Sequence, residues 1–190
     1  AATYLEIGND NVFREGTTAH TGTKPGTTTV IGNHNMFMNS CHVAHNCRVG
    51  NNVIYVGCAC TAGYCEIMDN ALISGLVGLH QFCRVGRFAI ISGGSVFSKD
   101  IPPFMMAEGR NGGVKMINKI GLQRAGFSAE AITVIKHIFR IYYRSGLAPS
   151  NALAKIKEEL PQTPEVLEFI NFCETSKRGV ISAHVEGHRN

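Results

Sequence analysis

The chemistry in this sequence concentrates on a few polar side chains. His42 and His45 lie three residues apart, His80 is followed directly by Gln81, and His20 precedes them all. A neutral imidazole near pH 7 can take a proton from a hydroxyl. Four histidines on one scaffold could instead ligate zinc, although no short spacing among them is diagnostic for that metal. The seven cysteines are Cys41, Cys47, Cys58, Cys60, Cys65, Cys83 and Cys173. Cys47, Cys65 and Cys83 recur every eighteen residues and read as small packing groups. No basic residue stands at the inward positions to stabilise a thiolate, so a redox role is not expected. We expect neither a metal nor a cofactor.

A six-residue period must position these groups. Ile7, Phe13 and Ala19, then Ile31, Phe37, Val43, Val49, Tyr55, Thr61, Ile67, Ile73, Leu79, Val85, Ile91 and Phe97 share one register. Only Pro25 breaks it, inside the Thr/Gly-rich stretch 21–29, which reads as a loop. The fifth position of the hexad is usually small, as at Cys41, Cys47, Ala59, Cys65, Ala71 and Ala89. A period of six matches neither an amphipathic helix nor strand alternation. It matches a parallel β-helix of short strands and tight corners. Three hexads make a triangular coil of eighteen residues, and residues eighteen apart then stack at about 4.8 Å.

Stacking brings distant residues together. The third hexad position is mostly Asn, Gly or Asp, including Asn33, Asn39, Asn51, Gly57, Asp69, Gly75 and Gly93. Such residues tolerate positive φ, so this position is expected to turn the corner. His45 and Gln81 are exceptions that share one column with Gly63 between them. An imidazole beside a missing side chain leaves a notch for a reacting group, unless the histidine merely tolerates the corner. A second column, Gly57, Gly75 and Gly93, would make a smooth strip able to carry an extended chain, or reflects corner geometry alone.

The repeat stops at Ile101-Pro102-Pro103. We expect a β-helix over 1–103, a helical segment over 104–180 and a loose tail over 181–190. Ser128 can cap a helix with the apolar stripe Ala131, Ile135, Ile138, Phe139 and Tyr142, stopped by Gly146. Ser150 can start a second helix carrying Leu153 and Ile156, and Thr163-Pro164 a third carrying Val166, Leu167, Ile170 and Cys173.

Composition excludes several classes. Of 190 residues, 44% are apolar and 17% charged, which fits a globular chain rather than a disordered one. No apolar run is long enough for a membrane span, and no secretory signal is visible. An odd cysteine count argues against a disulfide framework, so a reduced, cytoplasmic setting is expected. The net charge of +4 comes from residues 101–190, and within 110–144 seven basic residues face the single acid Glu130. That excess suits a phosphate-bearing ligand or an acidic partner, or is a solvated helix face. We expect no nucleic-acid partner.

Ser40-Cys-His42-Val-Ala-His45-Asn-Cys-Arg-Val-Gly50, Val77-Gly-Leu-His80-Gln81-Phe82 and Gly121-Leu-Gln-Arg124-Ala-Gly-Phe127 resemble segments of one family. So do Asp100-Ile-Pro-Pro-Phe104 and Ser176-Lys-Arg-Gly179. The family is the bacterial acyl-[acyl-carrier-protein]--UDP-N-acetylglucosamine O-acyltransferases of lipid A synthesis, and the resemblance runs to Val180. It implies a left-handed β-helix, a homotrimer with sites between subunits, and two substrates: acyl carrier protein bearing a 3-hydroxyacyl chain, and UDP-N-acetylglucosamine. It further implies that His45 is the general base and that the Gly63 N–H stabilises the oxyanion. His42, His80, Gln81, Asn118 and Arg124 would contact substrate, and Gly93 would limit acyl length. Members carry further N-terminal coils, so Ala1 is expected to fall inside a longer parent.

Two departures stand out. Asn46 follows the histidine where many members have Asp; an amide orients an imidazole but cannot stabilise its charged form as a carboxylate does. Tyr64 replaces a site histidine after the oxyanion glycine. An acceptor with a 3-amine therefore stays open. So do a β-helical zinc enzyme of the carbonic anhydrase type and a trimeric fragment without activity.

Overall fold

The computed structural model describes residues 1–110 and 112–184. Two-residue strands alternate with turns and stack into three parallel sheets. The first sheet stacks Tyr4–Ile7, Thr28–Ile31, Arg48–Val49, Glu66–Ile67 and Arg84–Val85. The second runs from Val12–Phe13 through Met36–Phe37, Ile54–Tyr55, Leu72–Ile73 and Ile90–Ile91 to Met105–Glu108 and Gly113–Ile117. The third stacks Thr18–Ala19, His42–Val43, Cys60–Thr61, Gly78–Leu79 and Val96–Phe97. Val43 pairs with Thr61, and Thr61 with Leu79, in register at eighteen residues. Across the loop the offset grows to twenty-four, as Tyr4 pairs with Thr28 and Thr18 with His42. The loop thus consumes one hexad and leaves the phase intact.

The last residue of each strand from Thr28–Ile31 to Val96–Phe97 points inward and is buried, and the fifth-position residues Cys41, Cys47, Ala59, Cys65 and Cys83 fill between them. Ile7 and Phe13, on the first coil, are 45% and 40% exposed because they have a neighbouring coil on one side only. All seven thiols are free. Burial raises the Cys41 thiol and pushes Cys83 up to about 11, so they pack as neutral groups.

The corners differ from expectation. Positive φ falls on the fourth hexad position, at Asp10, His34, Ser40, Asn46, Asn52, Cys58, Tyr64, Asn70, Leu76, Phe82 and Phe88. The third position is polar or small for another reason. Asn33 Oδ1 accepts from the Asn9 N–H at 2.7 Å, Asn51 Oδ1 from Asn33 at 2.8 Å and Asp69 Oδ1 from Asn51 at 2.8 Å. These side chains satisfy corner amides of the preceding coil. At Gly57 a neighbour needs the space: a Cβ there would lie 2.9 Å from Asn39 Oδ1.

Residues 104–118, grouped by the sequence with the helices, continue the second sheet. Met105–Glu108 pairs parallel with Ile90–Ile91 and turns back antiparallel as Gly113–Ile117. Helices start at α1 (Lys119–Arg124), followed by α2 (Ala129–Arg144), α3 (Pro149–Glu159) and α4 (Pro164–Glu174). Ser128 Oγ caps α2 as anticipated, but the buried stripe is Ile132, Ile135, Ile138 and Tyr143. Helix α3 begins one residue before Ser150, at Pro149, whose fixed φ suits a first turn. In α4 Phe169 and Phe172 turn inward while Leu167 is exposed.

The helices latch onto the first sheet. Arg87 and Glu168 form an ion pair at 2.7 Å, and the Arg84 guanidinium lies 4.1 Å over the Phe172 ring. Buried Asp100 accepts from the Arg84 N–H and the Ser176 hydroxyl. Ile181 is buried, and its N–H donates to the Asp100 carbonyl, so the tail expected to be loose starts pinned. Residues 185–190 of that tail lie outside the described residues.

Candidate active site

A groove of about 680 Å³ runs along the outer face of the third sheet. His42, Cys60, Gly78 and Val96 form its floor, one from each coil. His45, Gly63 and Gln81 form its rim at the corner, and His20 and His80 close it. The column deduced from the period is therefore real: the Tyr64 N–H donates to the His45 carbonyl and the Phe82 N–H to the Gly63 carbonyl.

The His45 ring leans over Gly63. A Cβ there would stand 2.4 Å from His45 Cε1, so any side chain would displace the ring. The Gly63 N–H, in a buried residue, has no protein acceptor among the described residues. An imidazole next to an unpaired amide donor is what attack on a carbonyl requires: a proton acceptor for the nucleophile and a donor for the oxyanion.

Asn46 lies beside the ring, with Oδ1 at 3.1 Å from His45 Nδ1. The same Oδ1 accepts from Thr23, and the Asn46 N–H donates to Thr29 Oγ1. Tyr64 meets the imidazole edge-on at 5.5 Å between centroids and stacks on Phe82 at 4.9 Å. It fills the place after the glycine as a wall, with no titratable ring nitrogen. His42 Nδ1 lies 2.7 Å from Thr18 Oγ1, and the His20 ring packs against His42 at 4.6 Å. Burial, then the nearby His20, holds His42 below the usual histidine range, so it is neutral at pH 7. His80 Nδ1 faces the Gln81 carbonyl at 3.2 Å.

Thr18 and Thr23 were missed from the sequence. Giving the loop a length of one hexad would have put Thr18 opposite His42. Among the described residues no three His, Cys, Asp or Glu side chains of one chain converge as metal ligands.

Asn118 and Arg124 lie elsewhere. They line a second groove of about 720 Å³ between α1 and the second sheet, floored by Ile54, Leu72, Ile90 and Met106. No residue lines both grooves. Asn118 is buried; its Oδ1 caps α1 by accepting from the Gly121 N–H, and its Nδ2 donates to the Phe88 carbonyl. Arg124 ends α1, exposed and without an ion pair among the described residues. Gly93 is exposed at a corner with no positive φ, and a Cβ there would meet only the Gly75 carbonyl oxygen, at 3.3 Å.

Residues 100–181 match the family described as Udp N-acetylglucosamine O-acyltransferase; Domain 2. Curated proteins named acyl-[acyl-carrier-protein]--UDP-N-acetylglucosamine O-acyltransferase align over nearly the whole chain. The one from Psychromonas ingrahamii is 54% identical over 94% of this chain and 69% of its own length. That from Aeromonas salmonicida is 50% identical over 95% and 69%. Among solved structures, the UDP-N-acetylglucosamine acyltransferase of Francisella novicida superposes with a TM-score of 0.88 at 37% identity, over 94% of this chain and 66% of its own. The Arabidopsis enzyme gives 0.90 at 33% identity, over 95% and 66%. The shared fold is the left-handed parallel β-helix with C-terminal helices.

Proposed function

Since this chain belongs to the acyl-[acyl-carrier-protein]--UDP-N-acetylglucosamine O-acyltransferase family, we propose that it moves a 3-hydroxyacyl group from acyl carrier protein to the 3-hydroxyl of UDP-N-acetylglucosamine, in lipid A synthesis. His45 takes the hydroxyl proton as that oxygen attacks the thioester carbonyl. The Gly63 N–H receives the developing oxyanion. The C–S bond then breaks, and the proton on His45 passes to the departing thiolate. Asn46 orients the ring, and His42, His80 and Gln81 line the sugar side of the groove.

The observation that carries this reading is the contact of the His45 ring with Gly63, whose N–H has no acceptor among the described residues. Placing Asn118 and Arg124 on a separate groove of the same chain favours a homotrimer, in which the second groove of one copy faces the third sheet of the next. The β-helix of 1–103 then supplies the base, and the 104–180 segment supplies the phosphate contact at Arg124. The free thiols suit the cytoplasm. The test is transfer from a panel of 3-hydroxyacyl carrier proteins to UDP-N-acetylglucosamine and to its 3-amino analogue. Ester formation on the first acceptor, lost in His45→Ala, is expected; amide formation alone would reassign the acceptor, and no product from either would leave a structural trimer.

A further inference from the structure

The carboxamide of Asn46 can turn either its oxygen or its nitrogen toward His45, and the two orientations impose opposite protonation on the ring. Thr23, in the 21–29 loop, decides between them. Its backbone N–H lies 3.2 Å and its hydroxyl 2.9 Å from Asn46 Oδ1. A backbone N–H can only donate, so the atom it faces has to be the oxygen. Turned over, Asn46 would set its own NH2 against that N–H. The same Oδ1 stands 3.1 Å from His45 Nδ1. An oxygen at that place accepts, so Nδ1 carries the proton and Nε2 retains its lone pair. Nε2 is the ring nitrogen nearer Gly63, 2.7 Å from where a Cβ would stand, against 3.0 Å for Nδ1. The strand after the loop fixes the other end of Asn46, whose N–H donates at 2.7 Å to Oγ1 of the fully buried Thr29.

We propose that Thr23 is a positioning residue that fixes the Asn46 amide and, through it, the tautomer of His45, leaving Nε2 as the free base. The proposal rests on the reading of His45 as the base. An aspartate at position 46 offers two equivalent oxygens and needs no selector. An asparagine does, and the loop provides one.

The test combines turnover with a tautomer measurement on the full chain. Thr23→Val keeps the backbone N–H and removes the hydroxyl. It is expected to lower kcat about 3- to 10-fold, the worth of one neutral hydrogen bond, with KM for the nucleotide sugar unchanged and Thr23→Ser restoring the rate. In an Asn46→Asp background the same change should alter kcat by less than about twofold, because a carboxylate has no wrong face. Nitrogen-15 NMR of labelled histidine should show Nδ1–H on His45 in the unaltered protein and a share of Nε2–H in Thr23→Val. Equal losses in both backgrounds, a Thr23→Ser variant as slow as Thr23→Val, or Nε2–H in the unaltered protein would each overturn the proposal. The NMR result needs no turnover, so it separates this failure from that of the base assignment, which alone falls if His45→Ala retains its rate.

Discussion

His45 and Gly63, one coil apart, compete for a single space: a side chain at position 63 would collide with the imidazole at 2.4 Å from Cε1. Glycine is required here for the neighbour's side chain and not for its own backbone, since its φ is not positive. Gly63→Ala should therefore push the ring off its line and lower kcat about a hundredfold, the scale of a misplacement near 1 Å. The melting temperature should move little, because the displaced group is a half-buried side chain at a groove. A variant as active as the unaltered protein would show that the ring need not lie over residue 63.

His45→Ala removes the proposed base and should reduce transfer about 10²–10⁴-fold with the fold intact. Single-turnover transfer and circular dichroism check both halves. His42→Ala should be milder, since His42 stands on the groove floor against Thr18 and not over Gly63.

Asn46→Asp should keep or raise kcat. A carboxylate next to Nδ1 stabilises the imidazolium that forms when Nε2 takes the proton, and Thr23 can donate to it as it does to the amide. A steady-state comparison at neutral pH measures the change. A large loss would mean that the amide Nδ2–H makes a contact with substrate.

Arg124→Ala should raise KM for the nucleotide sugar about tenfold to a hundredfold, the worth of a charge-assisted hydrogen bond to phosphate. Its guanidinium has no ion pair to lose among the described residues, so stability should be unaffected. If the KM for acyl carrier protein rises instead, the basic segment serves the acidic partner.

Gly93→Met should shorten the preferred acyl chain. Its φ is not positive, and a Cβ would meet only the Gly75 carbonyl oxygen, at 3.3 Å, so a side chain fits once that carbonyl gives way by a few tenths of an ångström. Each methylene shut out forfeits about 0.8 kcal/mol of burial, so a few carbons change selectivity by orders of magnitude. Transfer measured across a ladder of acyl lengths checks this. A uniform loss at every length, with a lowered melting temperature, would mean that the strip does not carry the chain.

The inward register was legible because burial acts on every sixth residue alike; Phe37, Tyr55 and Ile73 announce themselves by size. The corner was misassigned by one residue. Left-handed backbone at Tyr64, Leu76, Phe82 and Phe88 runs against local preference and is held by amide ladders between coils, which a single coil's sequence does not contain. The His45–Gly63–Gln81 column followed from arithmetic, whereas the pairing of Thr23 with Asn46 depended on the path of an irregular loop. The cap role of Asn118 is locally readable, three residues before Gly121.

The latch of Arg84, Arg87 and Asp100 onto α4 and its flank has a kinetic consequence. The strand pairings from Tyr4 to Phe97 close loops of eighteen or twenty-four residues, so coils can add to one another at nearly constant entropic cost. The latch joins residues 81 and 91 apart, Arg87 with Glu168 and Arg84 with Thr175. Such contacts form late and open first. Amides of α4 should then exchange with solvent ahead of those on the inner coils. The groove around His45 would outlast the docking of the helices, so the protein would lose its grip on substrate before it loses its base.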